Sequence, residues 1–182
     1  SFVAGKNNTL SNNTTVAVFG SSHDISVNSV DSFISGNSNK ETTGANNATF
    51  GKTNIIATST NSLTTGLSNN LTTATNSLTS GETNKGTNIT NSIISGKDHS
   101  GNTVIRSLMN GENNTASQVT NAFISGKQNS LSSDNYSTVT GFNNTLTATT
   151  GNIVSGDGNT LTNTKRDIVQ GLSNQVNNSN DI

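Results

Sequence analysis

The two histidines come first, because histidine is the side chain most suited to proton transfer and metal binding near neutral pH. The chain contains His23 and His99 and no cysteine. Neither histidine has Cys, Asp or Glu residues around it at the spacing of a metal site. Both occupy a position in a repeat that otherwise holds Asn, so we interpret them as turn residues that replace Asn.

Acidic and hydroxyl side chains form no catalytic pattern either. Asp157 lies in a Gly-Asp-Gly-Asn segment at 156–159 that is faintly similar to a calcium-binding glycine-rich repeat, but it occurs once and is interpreted as a turn. Asp24, Asp98 and Glu112 are isolated in sequence. There is no Gly-x-Ser-x-Gly nucleophile elbow and no phosphate-binding loop. The sequence therefore predicts a protein that is not an enzyme and needs no metal or cofactor.

A glycine recurs along the whole chain at an almost constant spacing. Successive copies lie fifteen residues apart, except for sixteen between Gly20 and Gly36. The repeated glycines are Gly5, Gly20, Gly36, Gly51, Gly66, Gly81, Gly96, Gly111, Gly126, Gly141, Gly156 and Gly171. Such a period indicates a solenoid with one coil per repeat. We predict a single array of about twelve coils over residues 1–182, with the extra residue in a longer turn between Ile25 and Phe33.

Two adjacent apolar slots precede each glycine. Three residues before it lie Phe2, Ala17, Phe33, Ala48, Leu63, Leu78, Ile93, Leu108, Phe123, Thr138, Ile153 and Ile168. Two residues before it lie Val3, Val18, Ile34, Thr49, Thr64, Thr79, Ile94, Met109, Ile124, Val139, Val154 and Val169. Neighbouring residues of a strand point to opposite faces. A strand that is apolar in both slots is therefore expected to be covered on both faces.

A polar slot follows the glycine at a distance of three residues. It holds Asn in ten copies, including Asn69 and Asn129, and His in the other two. Asn tolerates left-handed backbone and bonds to nearby backbone groups. Stacked coils are expected to align these side chains in a ladder.

A second apolar slot lies five residues after the glycine and completes each coil as two short strands separated by turns. The slot holds Leu10, Ile25, Ile56, Leu71, Leu131, Leu146, Leu161 and Val176. It fails at Glu41, Gly86 and Gly101, and Ala116 is small. In copies six to eight Ile89, Val104 and Val119 lie eight residues after the glycine, which indicates local repacking.

Composition limits the possible function. Hydrophobic residues make up only 27% of the chain, which alone would suggest disorder, but the formal net charge is only -1 and the apolar residues keep a strict period. Nine Lys and Arg are scattered against ten Asp and Glu, so nucleic-acid binding is not expected. There is no apolar stretch of about twenty residues and no signal peptide. We interpret the chain as a segment of a longer protein.

The repeat is similar to that of a known family. The segment Asn-Ser-Ile-Ile-Ser-Gly at 91–96, with related segments at 32–36 and 76–81, resembles the head repeat of the YadA-like trimeric autotransporter adhesins. That family's motif is roughly Asn-Ser-Val-Ala-Ile-Gly at a closely similar period, and the resemblance covers all twelve copies. The family commonly has Ile just before the glycine, whereas this chain mostly has Ser or Thr there and places the apolar residue one position earlier.

The resemblance implies a left-handed parallel β-roll, with three chains side by side, as the head of a bacterial surface adhesin. The outer-membrane anchor and the stalk would lie outside this segment, which would not contact the membrane. The implied ligands are host proteins, such as collagen, fibronectin or a receptor of the carcinoembryonic-antigen-related type. On this view the slot three before the glycine fills each chain's own core, and the slot two before it faces the neighbouring chains. The repeat residues that carry the fold include Gly66, Gly81, Gly96, Gly126, Asn69, Asn129, Ile93 and Phe123.

Three other functions fit parts of the pattern. An ice-binding β-solenoid displays arrays of Thr, and Ser or Thr occupies the slot six after the glycine in nine copies, although no strict Thr-x-Thr array persists. A purely structural surface rod is the second alternative. The third is an acyltransferase with a left-handed β-helix, whose six-residue repeat does not divide fifteen.

The ligand-contact surface is expected where the repeat is least regular, between Lys85 and Val119. A specific protein ligand needs a distinctive anchor, often apolar or Arg. We therefore expect Lys85, His99, Val104 and Arg106 in or near the contact surface.

Overall fold

The fold is an all-β parallel solenoid of about twelve turns. It is described from a computed structural model, which covers residues 1–26 and 28–180. The chain divides into two compact units, residues 1–90 and 91–182. In each unit every coil contributes one strand to a front sheet and one to a back sheet, and neighbouring strands of a sheet run parallel.

In the first unit the front strands are β1 (Phe2–Lys6), β3 (Ala17–Ser21), β5 (Phe33–Asn37), β7 (Ala48–Lys52), β9 (Leu63–Leu67) and β11 (Leu78–Glu82). The back strands are β2 (Thr9–Ser11), β4 (Asp24–Ser26), β6 (Lys40–Ala45), β8 (Ile55–Thr60), β10 (Asn70–Thr75) and β12 (Lys85–Thr90). The back strands of the first two coils have three residues each, and those of the next four coils have six, because their pairing continues for three more residues.

In the second unit the front strands are β13 (Ile93–Lys97), β15 (Leu108–Glu112), β17 (Phe123–Lys127), β19 (Thr138–Phe142), β21 (Ile153–Asp157) and β23 (Ile168–Leu172). The back strands are β14 (Ser100–Ile105), β16 (Thr115–Thr120), β18 (Ser130–Ser132), β20 (Thr145–Thr147), β22 (Thr160–Thr162) and β24 (Gln175–Asn177). A bridge row of single-residue pairings joins the later coils beyond the back sheet, at Thr120, Asn135, Thr150, Lys165 and Asn180.

The pairing register confirms the fifteen-residue repeat and locates its one exception. Gly96 pairs with Gly111 and Gly111 with Gly126, so the repeated glycines stack directly. Ser11 still pairs with Ser26 at fifteen residues, whereas Thr14 pairs with Val30 at sixteen. The extra residue therefore enters between Ser26 and Val30, inside the predicted turn. Val27 itself lies outside the described residues.

The predicted assignment of the two apolar slots to core and interface is wrong, because the structure reverses it. The slot two before the glycine faces the chain's own interior, where Ile94 and Ile124 are fully buried. The slot three before it faces outward, and Ile93 and Phe123 are 42% and 40% exposed. We name this outward-facing slot the outer column. Both slots are apolar, so polarity could not show which slot faces inward. The uniform size of the side chains in one slot could have shown it. A coil interior of constant width favours the slot filled by similar Val, Ile and Thr residues.

The predicted repacking of copies six to eight is confirmed as an exchange of volume between two inward slots. A Cβ on Gly86 would lie 2.7 Å from Cγ1 of Ile89 and 2.8 Å from Cδ2 of Leu71. Ile89 therefore fills the space that a larger residue at position 86 would occupy. Ala116 and Val119 repeat the exchange, and both are buried. Close packing of the interior requires such compensation.

The asparagine ladder is present, as predicted. Nδ2 of Asn129 donates to Oδ1 of Asn114 in the coil before it at 3.1 Å and to the carbonyl of Gly141 in the next coil at 3.0 Å. Its Oδ1 accepts from the backbone N–H of Asn144 at 3.1 Å and from Nδ2 of the same residue at 3.0 Å. The left-handed backbone lies one residue earlier, at Gln128 with φ 59°. The ladder thus satisfies buried backbone groups at the turn of every coil it occupies.

The two histidines take ladder positions, which agrees with their interpretation as replacements for Asn. Nδ1 of His99 accepts from the backbone N–H of Asn114 at 3.1 Å, and Nε2 lies 2.9 Å from the carbonyl of Ser95. His23 makes the corresponding contacts with Asn39 and Phe19. This geometry fits a neutral ring that carries its proton on Nε2, and burial lowers the pKa of His99 accordingly.

Candidate interaction surface

The strongest departure from an apolar interior is a carboxyl group in the first unit. Glu41 occupies the inward slot of β6 that usually holds Leu or Ile, and it is 1% exposed. Its Oε1 accepts from Ser32 Oγ at 2.9 Å and Asn47 Nδ2 at 3.0 Å, while its Oε2 has no partner. Gly44 leaves room for it, because a Cβ there would overlap Oε1. Burial raises the pKa of Glu41, and the two hydrogen bonds offset part of that effect.

The Glu41→Gln variant is expected to melt at a higher temperature than the wild type at neutral pH. A raised folded-state pKa gives a contribution to stability that is fully present below the unfolded-state pKa and is lost as pH rises through the folded-state pKa. The amide keeps the acceptor and removes the buried charge, so its advantage should grow from about pH 4 upward. Thermal melts from pH 3.5 to 8 measure this. Glu112→Gln, at a half-exposed side chain, is the control and should show no such trend, and an advantage for Glu41→Gln that is constant over the range would contradict burial as the cause.

Buried acids also occur in the second unit. Oδ1 of Asp134 accepts from Ser137 Oγ at 2.8 Å and from the hydroxyl of Thr149. Burial raises the pKa of Asp134 despite these bonds. Asp167 is likewise buried. These carboxyls stay inside the coils and do not reach the surface. Within residues 1–26 and 28–180 no cluster of three His, Asp or Glu side chains could hold a metal ion.

The front sheet presents an apolar outer surface in each unit. In the first unit the rings of Phe2, Phe19, Phe33 and Phe50 form a continuous stack, with centroids 5.3 to 5.4 Å apart. Phe19 and Phe50 occupy the slot just before the glycine, which shares the outward face because it lies two residues from the outer column. In the second unit the exposed members are Ile93, Phe123, Ile153 and Ile168. Contiguous exposed apolar surface is a common feature of interaction sites in soluble proteins.

Charged side chains border the strip in the slot directly after the glycine. In the second unit Lys97 and Lys127 flank Glu112, and Nζ of Lys127 lies 3.3 Å from Oε2 of Glu112. Exposed pairs of this kind contribute little to stability.

The predicted contact residues separate into two groups. His99 and Val104 are each 1% exposed, so their assignment to a contact surface is wrong: His99 belongs to the ladder and Val104 to the repacked interior. Lys85 in the first unit and Arg106 in the second are exposed. The irregular segment therefore holds both inward and outward substitutions, which sequence alone did not separate. A ligand contact at Lys85 or Arg106 stays a prediction.

The back sheet shows how far a hydroxyl array extends. Thr145 and Thr147 of β20 lie beside Thr160 and Thr162 of β22, and each pair flanks a buried Leu. The neighbouring strands carry Ser130 and Ser132 on one side and Gln175 and Asn177 on the other. This Thr-x-Thr array of the second unit therefore covers two coils, and in the first unit a second one lies on β8 (Thr58 and Thr60) and β10 (Thr73 and Thr75).

Two sequence comparisons found no match for this chain, and a comparison with solved structures found distant ones. No family model matches it, and no curated protein matches it. A solved structure of a putative acetyltransferase from Desulfovibrio desulfuricans G20 is 9% identical, with 97% of this chain and 68% of the other covered and a TM-score of 0.26. The polySia-specific acetyltransferase NeuO is 15% identical, with 93% and 80% covered and a TM-score of 0.15. TM-scores this low do not show a shared fold, so neither structure indicates a function for this chain. The described part of the chain has no helix long and apolar enough to cross a membrane.

Proposed function

We propose that this chain is the head segment of a bacterial surface adhesin that assembles as a homotrimer and binds host proteins. The observation that carries the proposal is the outer column with the aromatic stack beside it, an exposed apolar strip on a protein otherwise rich in Asn, Ser and Thr. Large apolar side chains repeated on successive coils need a cover that repeats in the same way.

A second copy of the chain is the occupant that fits this strip best. Coils of a parallel solenoid recur at about 4.8 Å, so a partner must present apolar groups at the same interval to contact each of them. An identical strip from another copy, aligned coil to coil, does so, and homo-oligomers with closed symmetry are the common arrangement. The number three, the left-handed winding and the outer-membrane anchor in a missing region rest on the resemblance to the YadA-like adhesins.

The outward faces that remain after trimer formation are the back sheet and the turns. They offer similar groups at successive coils, which favours many weak contacts to an extended ligand over one deep cleft. Collagen, fibronectin and receptors of the carcinoembryonic-antigen-related type are the proposed classes of host ligand. The bacterial cell surface is the proposed location.

Binding of the purified chain to these host proteins tests the function. Surface plasmon resonance on immobilised collagen, fibronectin and receptor ectodomains should show saturable binding to at least one. A fusion to a stalk that enforces trimers should bind more tightly through avidity. Thermal hysteresis measured on the same sample is the counter-test. Inhibition of ice growth without binding to any host protein or host cell would favour ice binding over adhesion. If the chain showed neither activity, a purely structural role would be favoured.

A further inference from the structure

The ring of His99 is held by contacts at both of its nitrogens. Nε2 lies 2.9 Å from the carbonyl of Ser95, which can only accept, so Nε2 carries a proton. Nδ1 lies 3.1 Å from the backbone nitrogen of Asn114, whose N–H can only donate, so Nδ1 must be the acceptor. His23 makes the same two kinds of contact in the first unit. The ladder therefore fits histidine in its neutral form and in one tautomer.

The ring has no room for another arrangement. His99 is 1% exposed. A Cβ on Gly96 would lie 2.9 Å from Nε2, so the ring already fills the space beside the repeated glycine. A turn of the ring would move Nδ1 away from the N–H of Asn114 and Nε2 away from the carbonyl of Ser95. The backbone groups around the ring therefore depend on its present orientation and protonation.

A proton on Nδ1 would replace an acceptor by a second donor. The N–H of Asn114 would then face the N–H of a charged ring, and a buried backbone group without a partner costs about as much as a lost hydrogen bond. An asparagine in the ladder has no such weakness, because its amide does not titrate. Oδ1 of Asn114, for example, accepts from the N–H of Asn129 at 2.9 Å. Acid therefore acts on the ladder at its histidine links.

The environment of His99 favours the neutral ring. Burial lowers the pKa of His99, and the carbonyls of Ser95 and Gly111 and the charge of Asp98 raise it in part. A lowered folded-state pKa gives a contribution to stability that is present above the unfolded-state value of about 6.5. That contribution is lost as pH falls through the folded-state pKa. The charged side chains on this turn and at the matching turn positions of the neighbouring copies reach solvent: Glu82, Lys85, Lys97 and Glu112.

A buried acid in the same unit responds to pH in the opposite direction. Burial raises the pKa of Asp134. Its contribution to stability is therefore fully present below the unfolded-state pKa and is lost as pH rises through the folded-state pKa. Acidification below about pH 6.5 thus weakens the link at His99 while the coil that contains Asp134 becomes more stable. The two effects act at different places, so acid should open one turn before it unfolds the unit.

We infer that His99 is an acid-sensitive link of the ladder, at which the turn between β13 and β14 opens locally while the rest of the second unit stays folded. The turn holds residues 98 and 99, between Lys97 at the end of β13 and Ser100 at the start of β14. Local opening at a lower free energy than global unfolding is a general property of folded proteins. The inference goes beyond the proposed function and does not rest on it, because it concerns buried groups within one chain.

Amide hydrogen exchange of the full chain, followed by NMR from pH 4.5 to 7.5, tests the inference. Protection factors remove the pH dependence of intrinsic exchange. Protection of the Asn114 amide is expected to fall by up to tenfold for each pH unit from about 6.5 down to the folded-state pKa of His99, because opening takes up one proton. The matched control is the Asn159 amide, which donates to Oδ1 of Asn144 at 3.1 Å. Its acceptor does not titrate, so its protection should stay constant.

His99→Asn supplies the second measurement, because it restores the usual residue of the ladder. The variant should keep the Asn114 amide protected over the whole range, with unchanged β circular dichroism. Constant protection of Asn114 in the wild type down to pH 4.5 overturns the inference. An equal loss at Asn159 means general acid unfolding and overturns it too. A loss at Asn114 that persists in His99→Asn assigns the pH dependence to another group, with the same consequence.

Discussion

Gly156→Ala is expected to prevent cooperative folding of the second unit. Gly156 has φ 125°, a conformation that other L-residues rarely adopt, and an added Cβ would lie 2.9 Å from the carbonyl carbon of Gly171 and closer still to its oxygen. Both atoms belong to the backbone of the next coil, so no side-chain rotation relieves the overlap. The expected loss exceeds about 4 kcal/mol, in the range of backbone clashes and strain.

Gly158→Ala is the matched control in the same coil. Gly158 has φ 67°, where the left-handed region is open to other residues at a cost of about 1–2 kcal/mol. The nearest atom to an added Cβ is Ser173 Oγ at 3.5 Å, and equivalent corners hold Asn143 and Ser173. Urea unfolding of the wild type and the two variants measures the difference in free energy of unfolding. Equal losses in the two variants would show that a stacked glycine position tolerates a side chain as well as the corner position does.

Asn129→Leu is expected to cost more than about 3 kcal/mol, because it removes a buried amide whose two N–H hydrogens are shared among three acceptors and whose oxygen accepts two hydrogen bonds. The lost bonds join the side chain to Asn114, Asn144 and two carbonyls, those of Ser125 and Gly141. The backbone N–H of Asn144 would be left buried without a partner. Leu shares the branched side-chain skeleton of Asn but is larger in volume, so the loss combines missing hydrogen bonds with overpacking.

Asn129→His tests whether the ladder needs the Asn side chain itself or only an acceptor for the N–H of the next coil. His99 already supports the N–H of Asn114 through Nδ1, so histidine at 129 should retain much of the stability lost in Asn129→Leu at pH 8. Burial lowers the pKa of His99, and a new ladder histidine is expected to behave alike. Its contribution is present above the unfolded-state pKa and is lost as pH falls through the folded-state value. A histidine variant as unstable as the leucine variant at pH 8 would refute this view of the ladder.

The period of the glycine was enough to predict the solenoid, the two strands of each coil and the ladder. These features depend on spacing, which a sequence displays directly. The compensation between Gly86 and Ile89 was also visible in the sequence, because the small residue in one slot is followed three residues later by a large one. The position of the extra residue followed from the one sixteen-residue interval.

The direction of the two apolar slots was not predictable from polarity. Ile93 and Ile94 have the same side chain, and only the path of the backbone decides that Ile94 enters the core and Ile93 faces outward. His99 and Val104 were misplaced for a related reason, since irregularity in sequence arose from repacking inside the coil.

Sedimentation equilibrium of the wild type beside the Phe123→Asp/Ile153→Asp variant tests the adhesin-head account most directly. Both positions face outward, at 40% and 46% exposure, so the variant should fold with unchanged β circular dichroism. The account predicts a wild-type mass of three times the 18.7 kDa chain and a variant reduced to a folded monomer, because a charge in a dry interface lacks a partner. A wild type that sediments as a monomer, or a variant that keeps the wild-type mass, would contradict the account.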